Sequence, residues 1–481
     1  MRRFFVKNIL FVLTVNALIK PAWIFVIDRT VQNRVGHADY GTYQALFSLS
    51  LIFQIILDFG LNNYNTRIIS RQPEKLKDSF SLMLSARMVL ILLYASLVMI
   101  TGWSLGYRGH ELLLLGGVLL IQAINVMVQY MRSNVAALHH FRTDGLLSVA
   151  DRFLMIVICG FLLFFPATAA RFRIEWFVYC QIGCYAAAMV IAWRVLVKIS
   201  PVPFRFRFHT EGVWGIIRES FPYALLIFLM SVYTRADMML VERIAGKEQA
   251  GIYSSAYRLL DVGNIFGLMF ANMLLPLFGR MLAEKTDVSG IIRVSVNMLL
   301  PVSLVVAVVA FYYGTEIMHL LYPVAGVYDG QVFAWLMATL PAFCMMYVYS
   351  TLLTANGSLK LLNIIAAAGV VINLALNFYL IPRQHALGAA ITACATQSLL
   401  ALVFIVCARR EICLPVHTRW IAALAGFLAV IIALGYFINK MPVSWMARIA
   451  LLGSLSIALM FLFRFVSVPA IKQLFVKKDE G

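Results

Sequence analysis

Acid is scarce in this chain: 22 Asp and Glu stand against 40 Lys and Arg among 481 residues, and charged residues of both signs make up only 13%. A soluble domain carries about a quarter, so the shortage excludes a solvent-covered globular surface. Cysteine is sparse and scattered. Cys159, Cys180, Cys184, Cys344, Cys394 and Cys407 lie inside apolar runs, with no CxxC pair and no Cys/His cluster. That excludes zinc spacing and a disulfide framework, and the thiols read as small packing residues. No nucleophile–base constellation is present, so the chain does not read as an enzyme. It also lacks the long external loop that a membrane polymerase or ligase would carry, and no stretch is long and polar enough for a soluble domain.

What the chain has is apolar length. Hydrophobic residues make up 62% and mean hydropathy is +0.86. Spanning a bilayer takes about 20 apolar residues per helix, and the sequence divides into about 14 such segments. The start, MRRFFVKNILFVLTVNALI, has a basic n-region but runs on through Lys20-Pro21 into further apolar residues, so it reads as a first membrane helix rather than a cleaved signal. Prolines at 21, 222, 276, 301 and 341 are expected to kink their helices. Lys and Arg gather on alternate linkers, including Arg2, Arg3, Arg67, Arg71, Arg132, Arg142, Arg205, Arg207, Arg409 and Arg410. By the positive-inside rule this places both termini in the cytoplasm. The net charge of +18 is mostly this topology signal. Its spread over many linkers argues against nucleic acid as a partner.

The sequence repeats itself. GHADYGTYQALFSLSL begins at Gly36 and GKEQAGIYSSAYRLLD at Gly246. One offset of about 210 residues pairs Gly36 with Gly246, Gly41 with Gly251, Tyr43 with Tyr253 and Asn62 with Asn272. A parallel repeat needs an even number of spans per unit. The expected fold is therefore an all-α polytopic membrane protein of two six-helix lobes, 1–199 and 213–410. A basic cytoplasmic linker, 200–212, joins them, and an extra helix pair with a cytoplasmic tail occupies 411–481. Two such lobes about an axis along the membrane normal suggest alternating access to a site near the midplane.

Ionisable residues inside spans are costly and mark function or pairing. Lys20, Asp28, Arg29, Asp58, Arg87, Asp151, Arg152, Arg235, Asp237, Arg258 and Asp261 are concentrated in a few spans. Arg258 and Asp261 can pair on one helix face at i,i+3. The neighbours Asp28-Arg29 and Asp151-Arg152 point in different directions and need partners from elsewhere. Lys20, Arg87 and Arg152 have no acid on their own face. A cavity with surplus cations implies an anionic substrate, and a phosphate suits the planar guanidinium best. Lys20, Arg29, Arg87, Arg152, Arg235 and Arg258 are the candidate substrate-binding residues. Asp28, Asp58, Asp151, Asp237 and Asp261 are the candidates for ion coupling or charge balance. No cofactor or metal is expected; a sodium or proton gradient would be compatible with these acids.

The run YTRADMMLVERIAGKEQAGIYSSAYRLLD, with Asp237, Gly251, Tyr253 and Ala256, resembles the span 7–8 signature of polysaccharide (O-antigen) flippases. VGHADYGTYQALFSLSLIFQIILDFGLNN, with Gly41, Tyr43, Asp58, Gly60 and Asn62, resembles their span 2. These flippases belong to the multidrug/oligosaccharidyl-lipid/polysaccharide exporter superfamily. The resemblance implies a transporter in the bacterial inner membrane. It would move a polyprenyl-pyrophosphate-linked oligosaccharide, an O-antigen, capsule or exopolysaccharide unit, with basic cavity residues on the pyrophosphate. Membrane lipids, and polysaccharide assembly machinery, are the partners it implies. Two alternatives stay open within the superfamily: a multidrug/cation antiporter and a peptidoglycan lipid-precursor flippase.

Overall fold

A computed structural model describes residues 19, 22–59, 61–62, 69, 76–138, 140–200, 213–412, 418–463 and 465. Among them every regular element is a helix. Hydrocarbon offers no partner for backbone N–H and C=O, and a helix satisfies both within its own segment. Nine helical segments among the described residues are long and apolar enough to cross a membrane. The chain is an all-α polytopic membrane protein. By contacts it divides into two compact units, Met1–Gly251 and Ile252–Gly481. The division falls just inside the helix Lys247–Ala283.

In the first unit a π-helical stretch, Trp23–Asp28, leads into α1 (Arg29–Val35). α2 (His37–Ile52) follows across Gly36, and a 3-10 turn, Gln54–Leu57, closes it. Then come α3 (Leu76–Ser104), α4 (His110–Ala137), α5 (Phe141–Phe164), the short α6 (Pro166–Ala169), α7 (Ile174–Ile199) and α8 (Val213–Ala245). The first turn of α9 (Lys247–Ala283) completes the unit. Its core is aromatic. Trp23 stacks on Phe177 with ring centroids 5.9 Å apart, Tyr43 meets the same ring edge-on at 5.3 Å, and Gln181 Nε2 donates to the Tyr43 hydroxyl at 2.9 Å. Lys20 and Pro21 lie outside the described residues.

The repeat is visible in the backbone. Gly36 and Gly246 both turn the chain between helices at positive φ, 87° and 94°, a conformation that favours glycine. Gly41 and Gly251 mark a close backbone approach. A Cβ at Gly41 would meet the Lys247 carbonyl and stand 2.6 Å from the Gly251 nitrogen; one at Gly251 would meet the His37 carbonyl. At the offset of 210, His37 corresponds to Lys247 and Gly41 to Gly251. The contacts are thus reciprocal, and all lie within the first unit.

In the second unit α9 continues and is followed by α10 (Ser289–Leu321), α11 (Val327–Met337) and α12 (Leu340–Ala355). α13 (Leu359–Ile412) doubles back at His385, which takes φ 53°. Asn373 Nδ2 there reaches Thr396 Oγ1 at 3.5 Å, and a Cβ on Gly369 would touch Leu400. Its 54 residues would measure roughly 80 Å if straight, so two membrane passes are folded at that turn. Finally α14 (Thr418–Asn439) and α15 (Trp445–Leu462) pack on α10 through Phe427, Ile431, Leu452 and Met460. Trp420 Nε1 donates to Asn297 Oδ1 at 2.6 Å and pins the pair. The proline expectation needs correction here. Pro341 sits in the first turn of α12, where no intrahelical bond is lost, and the backbone break in α10 is at Tyr313 rather than Pro301.

Candidate substrate cavity

α4 and α5 form a tight hairpin, and their facing ends carry opposite charges. Arg132, near the end of α4, binds Asp144, in the first turn of α5, with Nε 2.9 Å from Oδ1. Seven residues further along α5, about 10 Å deeper, Asp151 and Arg152 form a looser pair at 3.5 Å. The Arg152 guanidinium lies 5.4 Å from the Trp23 ring centre and 5.8 Å from that of Tyr185. The two ion pairs and Tyr185, with Asn62, Asn125, Gln129 and Ser148, line a cavity of about 460 Å³ inside the first unit. Trp23 reaches Arg152 from the π-helical stretch. Such stretches recur at functional sites because they re-aim side chains.

Behind Asn62 lies a second pair of a different kind. Arg87 is fully buried. Its Nη2 binds Asp58 Oδ1 at 3.0 Å and Asn62 Oδ1 at 2.8 Å, and its guanidinium lies 4.8 Å from the Tyr130 ring centre. Asp58 Oδ1 also accepts from the Asn62 backbone N–H at 3.2 Å. The chain delivers Asp58 there by breaking α2: the 3-10 turn ends just before it, and Phe59 takes φ 41°. Among the described residues, Nε and Nη1 of Arg87 have no hydrogen-bond partner. Each buried donor left unmade costs about 1–3 kcal/mol.

The other predicted residues are placed as follows. Asp28 is buried and accepts from the Tyr40 hydroxyl at 2.7 Å. Arg29 and Arg235 are half-buried, and Asp237 is buried. Arg258 and Asp261 are half-buried on α9, in the second unit. All six are engaged with neighbours. Of the predicted set, Arg152 and Asp151 line the cavity, while Arg87 and Asp58 touch it through Asn62.

Arg87 has no acid on its own helix face, and its partner Asp58 comes from another element 29 residues away. Two readings of the charges change. Arg152 takes its own neighbour, Asp151, because the long side chain can bend back where the backbone directions diverge. The described lining is also balanced, Arg132 and Arg152 against Asp144 and Asp151, rather than cationic. Arg132, Asp144, Tyr185 and Asn62 were not among the predicted site residues. Arg132 had counted as a linker charge. The available signal was an acid and a base flanking one short helix turn.

The sequence model of one protein family, described as "Polysaccharide biosynthesis protein", matches residues 5–282. No curated protein matches the chain. Among solved structures the fold is similar to that of the lipid II flippase MurJ in an inward closed conformation, with a TM-score of 0.65, 13% identity, and 92% of this chain and 96% of that one covered. It is also similar to an inward-facing multidrug resistance MATE family transporter of the MOP superfamily (TM-score 0.63, 16% identity, 81% and 94% covered). The Vibrio cholerae MATE transporter VcmN matches at TM-score 0.55 and 13% identity, with 82% and 94% covered.

Proposed function

The chain belongs to the polysaccharide biosynthesis protein family; from that premise we propose that it is a transporter of the MOP superfamily rather than an enzyme, and that it flips a polyprenyl-pyrophosphate-linked oligosaccharide across the bacterial inner membrane by alternating access. An O-antigen, capsule or exopolysaccharide unit is the cargo class. Moving a charged headgroup through hydrocarbon costs several kcal/mol per charge at least, and a polar cavity with exchangeable ion pairs lowers that barrier.

One observation carries the reading. Arg152 is a partly exposed arginine at the cavity wall, beside two aromatic rings, with an Asp151 carboxylate oxygen 3.5 Å from its Nε. A phosphate can take the place of Asp151 on the guanidinium and bind two N–H groups at once. Arg132 offers a second such exchange nearer the helix ends. Arg87 supports the wall through Asn62. The remaining predicted cations, Lys20, Arg29, Arg235 and Arg258, stay assigned to the same anion path, and Asp28, Asp58, Asp151, Asp237 and Asp261 to charge balance or coupling to a sodium or proton gradient. The bias of Lys and Arg supports cytoplasmic termini. Membrane lipids and polysaccharide assembly proteins are the partners that fit this cargo.

The balanced charge of the cavity favours one second reading, an organic-cation antiporter in which Asp144 and Asp151 accept the cargo. The two readings separate at Arg152, with surface glycan measured in cells lacking the native gene and protein abundance measured alongside. A guanidinium acting by charge and bidentate geometry is only partly replaced by lysine. The expected order is Arg152→Lys weakened, Arg152→Ala poor and Arg152→Glu inactive. Normal glycan from Arg152→Glu at normal abundance, with raised export of a cationic dye, would select the antiporter.

A further inference from the structure

At the opposite end of α4 from Arg132, two turns of the first unit are tied by a cluster that the cargo path does not use. Tyr107, in the turn between α3 and α4, is fully buried, and its hydroxyl donates to Glu242 Oε2 at 3.0 Å. Glu242 is 4% exposed and belongs to the last turn of α8. The guanidinium of Arg243 lies 3.3 Å from the centre of the Tyr107 ring. Its Nε is 3.2 Å from Glu242 Oε2, and its Nη2 is 3.8 Å from Glu111 Oε2, at the start of α4. Lys247, in the first turn of α9, holds the other Glu111 oxygen at 2.5 Å. The α3–α4 turn is thereby joined to the α8–α9 turn by side chains 135 residues apart in sequence.

Two features set this cluster apart from a plain structural lock. The repeat supplies the first. At the offset of 210, Glu242 corresponds to Gln32, which is equally buried and donates through Nε2 to the Gly251 carbonyl at 3.0 Å. One half of the repeat fills this position with a neutral amide. The other half fills it with a titratable group of nearly the same shape, at the desolvation cost of a buried carboxylate. The second feature is geometric. Arg243 Nε and Nη2 stand close to the two acids yet make no aligned hydrogen bond. The hold on Glu242 from that side is charge attraction alone, and protonation cancels it.

We propose that Glu242 is a proton-binding carboxyl that latches the α3–α4 turn to the α8–α9 turn while ionised and releases it when protonated. The groups facing it are Tyr107 from the turn, Glu111 from α4, its own neighbour Arg243, and Lys247 from α9. With Glu242 ionised, two acids meet two bases. With Glu242 protonated, Arg243 and Lys247 share Glu111, and the Tyr107 hydroxyl loses its charged acceptor. Burial first, and the Glu242 carboxylate second, push the Tyr107 hydroxyl above its ordinary range, so it remains a donor throughout. A hydrogen bond to a charged acceptor is about twice as strong as one between neutral groups. The latch therefore holds at high pH and loosens as pH falls. In the orientation proposed above these turns face outward, where an inward proton gradient delivers protons. Only that use rests on the transport reading; the latch does not depend on the cargo.

The experiment uses the full chain in lipid nanodiscs with native cysteines replaced and spin labels at Arg108→Cys and Glu248→Cys, both exposed positions. Pulsed electron spin resonance reads the distance between the two turns at about pH 8 and about pH 5, a window that brackets a buried carboxyl. The expected result is one short distance at the higher pH and a longer population at the lower, the ratio shifting roughly tenfold. Glu242→Gln should show the longer population at both pH values, and Glu242→Asp should keep the pH response. Helix content and monodispersity check folding, and should Glu242→Gln fail them, the unsubstituted protein's titration still decides. Identical distances at both pH values, or a Glu242→Gln protein that titrates as the parent does, would overturn the latch. Normal glycan export from Arg152→Glu with an intact pH response would overturn the cargo reading and leave the latch standing.

Discussion

Two arginine–aspartate pairs in the same unit show how differently one chemistry can be used. Arg87 is sealed from solvent, bonded to the 29% exposed Asp58 and to Asn62 on one edge, with Nε and Nη1 unmet among the described residues. Arg152 is 29% exposed, 3.5 Å from Asp151, and beside two rings at a cavity wall. The first pair cannot exchange partners without exposing a buried charge. The second can, because water or a ligand reaches it. A pair whose arginine is wholly buried holds helices together, and a pair whose arginine reaches solvent can release a carboxylate for an incoming anion.

The largest expected effect tests the sealed pair. Asp58→Ala leaves Arg87 buried without an anion and should destabilise the fold by about 3–5 kcal/mol, read as a fall in melting temperature in detergent or nanodiscs. A melting temperature within error of the parent's would show that Arg87 finds another partner and that the contrast between the pairs is weaker than drawn. Arg152→Ala should do the reverse. Its partly exposed pair contributes about 0–1 kcal/mol, so glycan export should fall while the melting temperature barely moves. A loss of export explained entirely by lost protein would make Arg152 structural too. The smallest effect is expected at the α4–α5 hairpin. A double-mutant cycle on Arg132→Ala and Asp144→Ala should give a coupling of about 0.5–1 kcal/mol, and a value several times larger would move that pair into the sealed class.

Some of this was legible along the chain. Periodicity in hydropathy shows the spans, since each crossing needs its own apolar length. Even α13, one continuous helical run, was separable into two passes from sequence because His385 and its polar neighbours interrupt the apolar pattern. Gly36, Gly41, Gly246 and Gly251 announced the repeat, because a positive-φ turn and a close backbone approach both restrict a position to glycine. The in-span charges of the first unit were visible as costly residues. Their partners were not. Arg87 meets Asp58 only because α2 breaks at Phe59, and Arg132 meets Asp144 only because the end of α4 and the start of α5 come face to face.

By itself, then, the amino-acid sequence determined the membrane class, the helical secondary structure, the doubled plan and which residues would bear the cost of burial, since all of these follow from composition and spacing along one dimension. The tertiary structure decided which arginine is sealed and which is open, that the described cavity is charge-balanced rather than cationic, and that Glu242 is buried and met by Tyr107 from a distant turn. Those outcomes depend on which helix faces come together in space. Charge pairing acts over a few ångströms whatever the separation in sequence, so no local pattern encodes it.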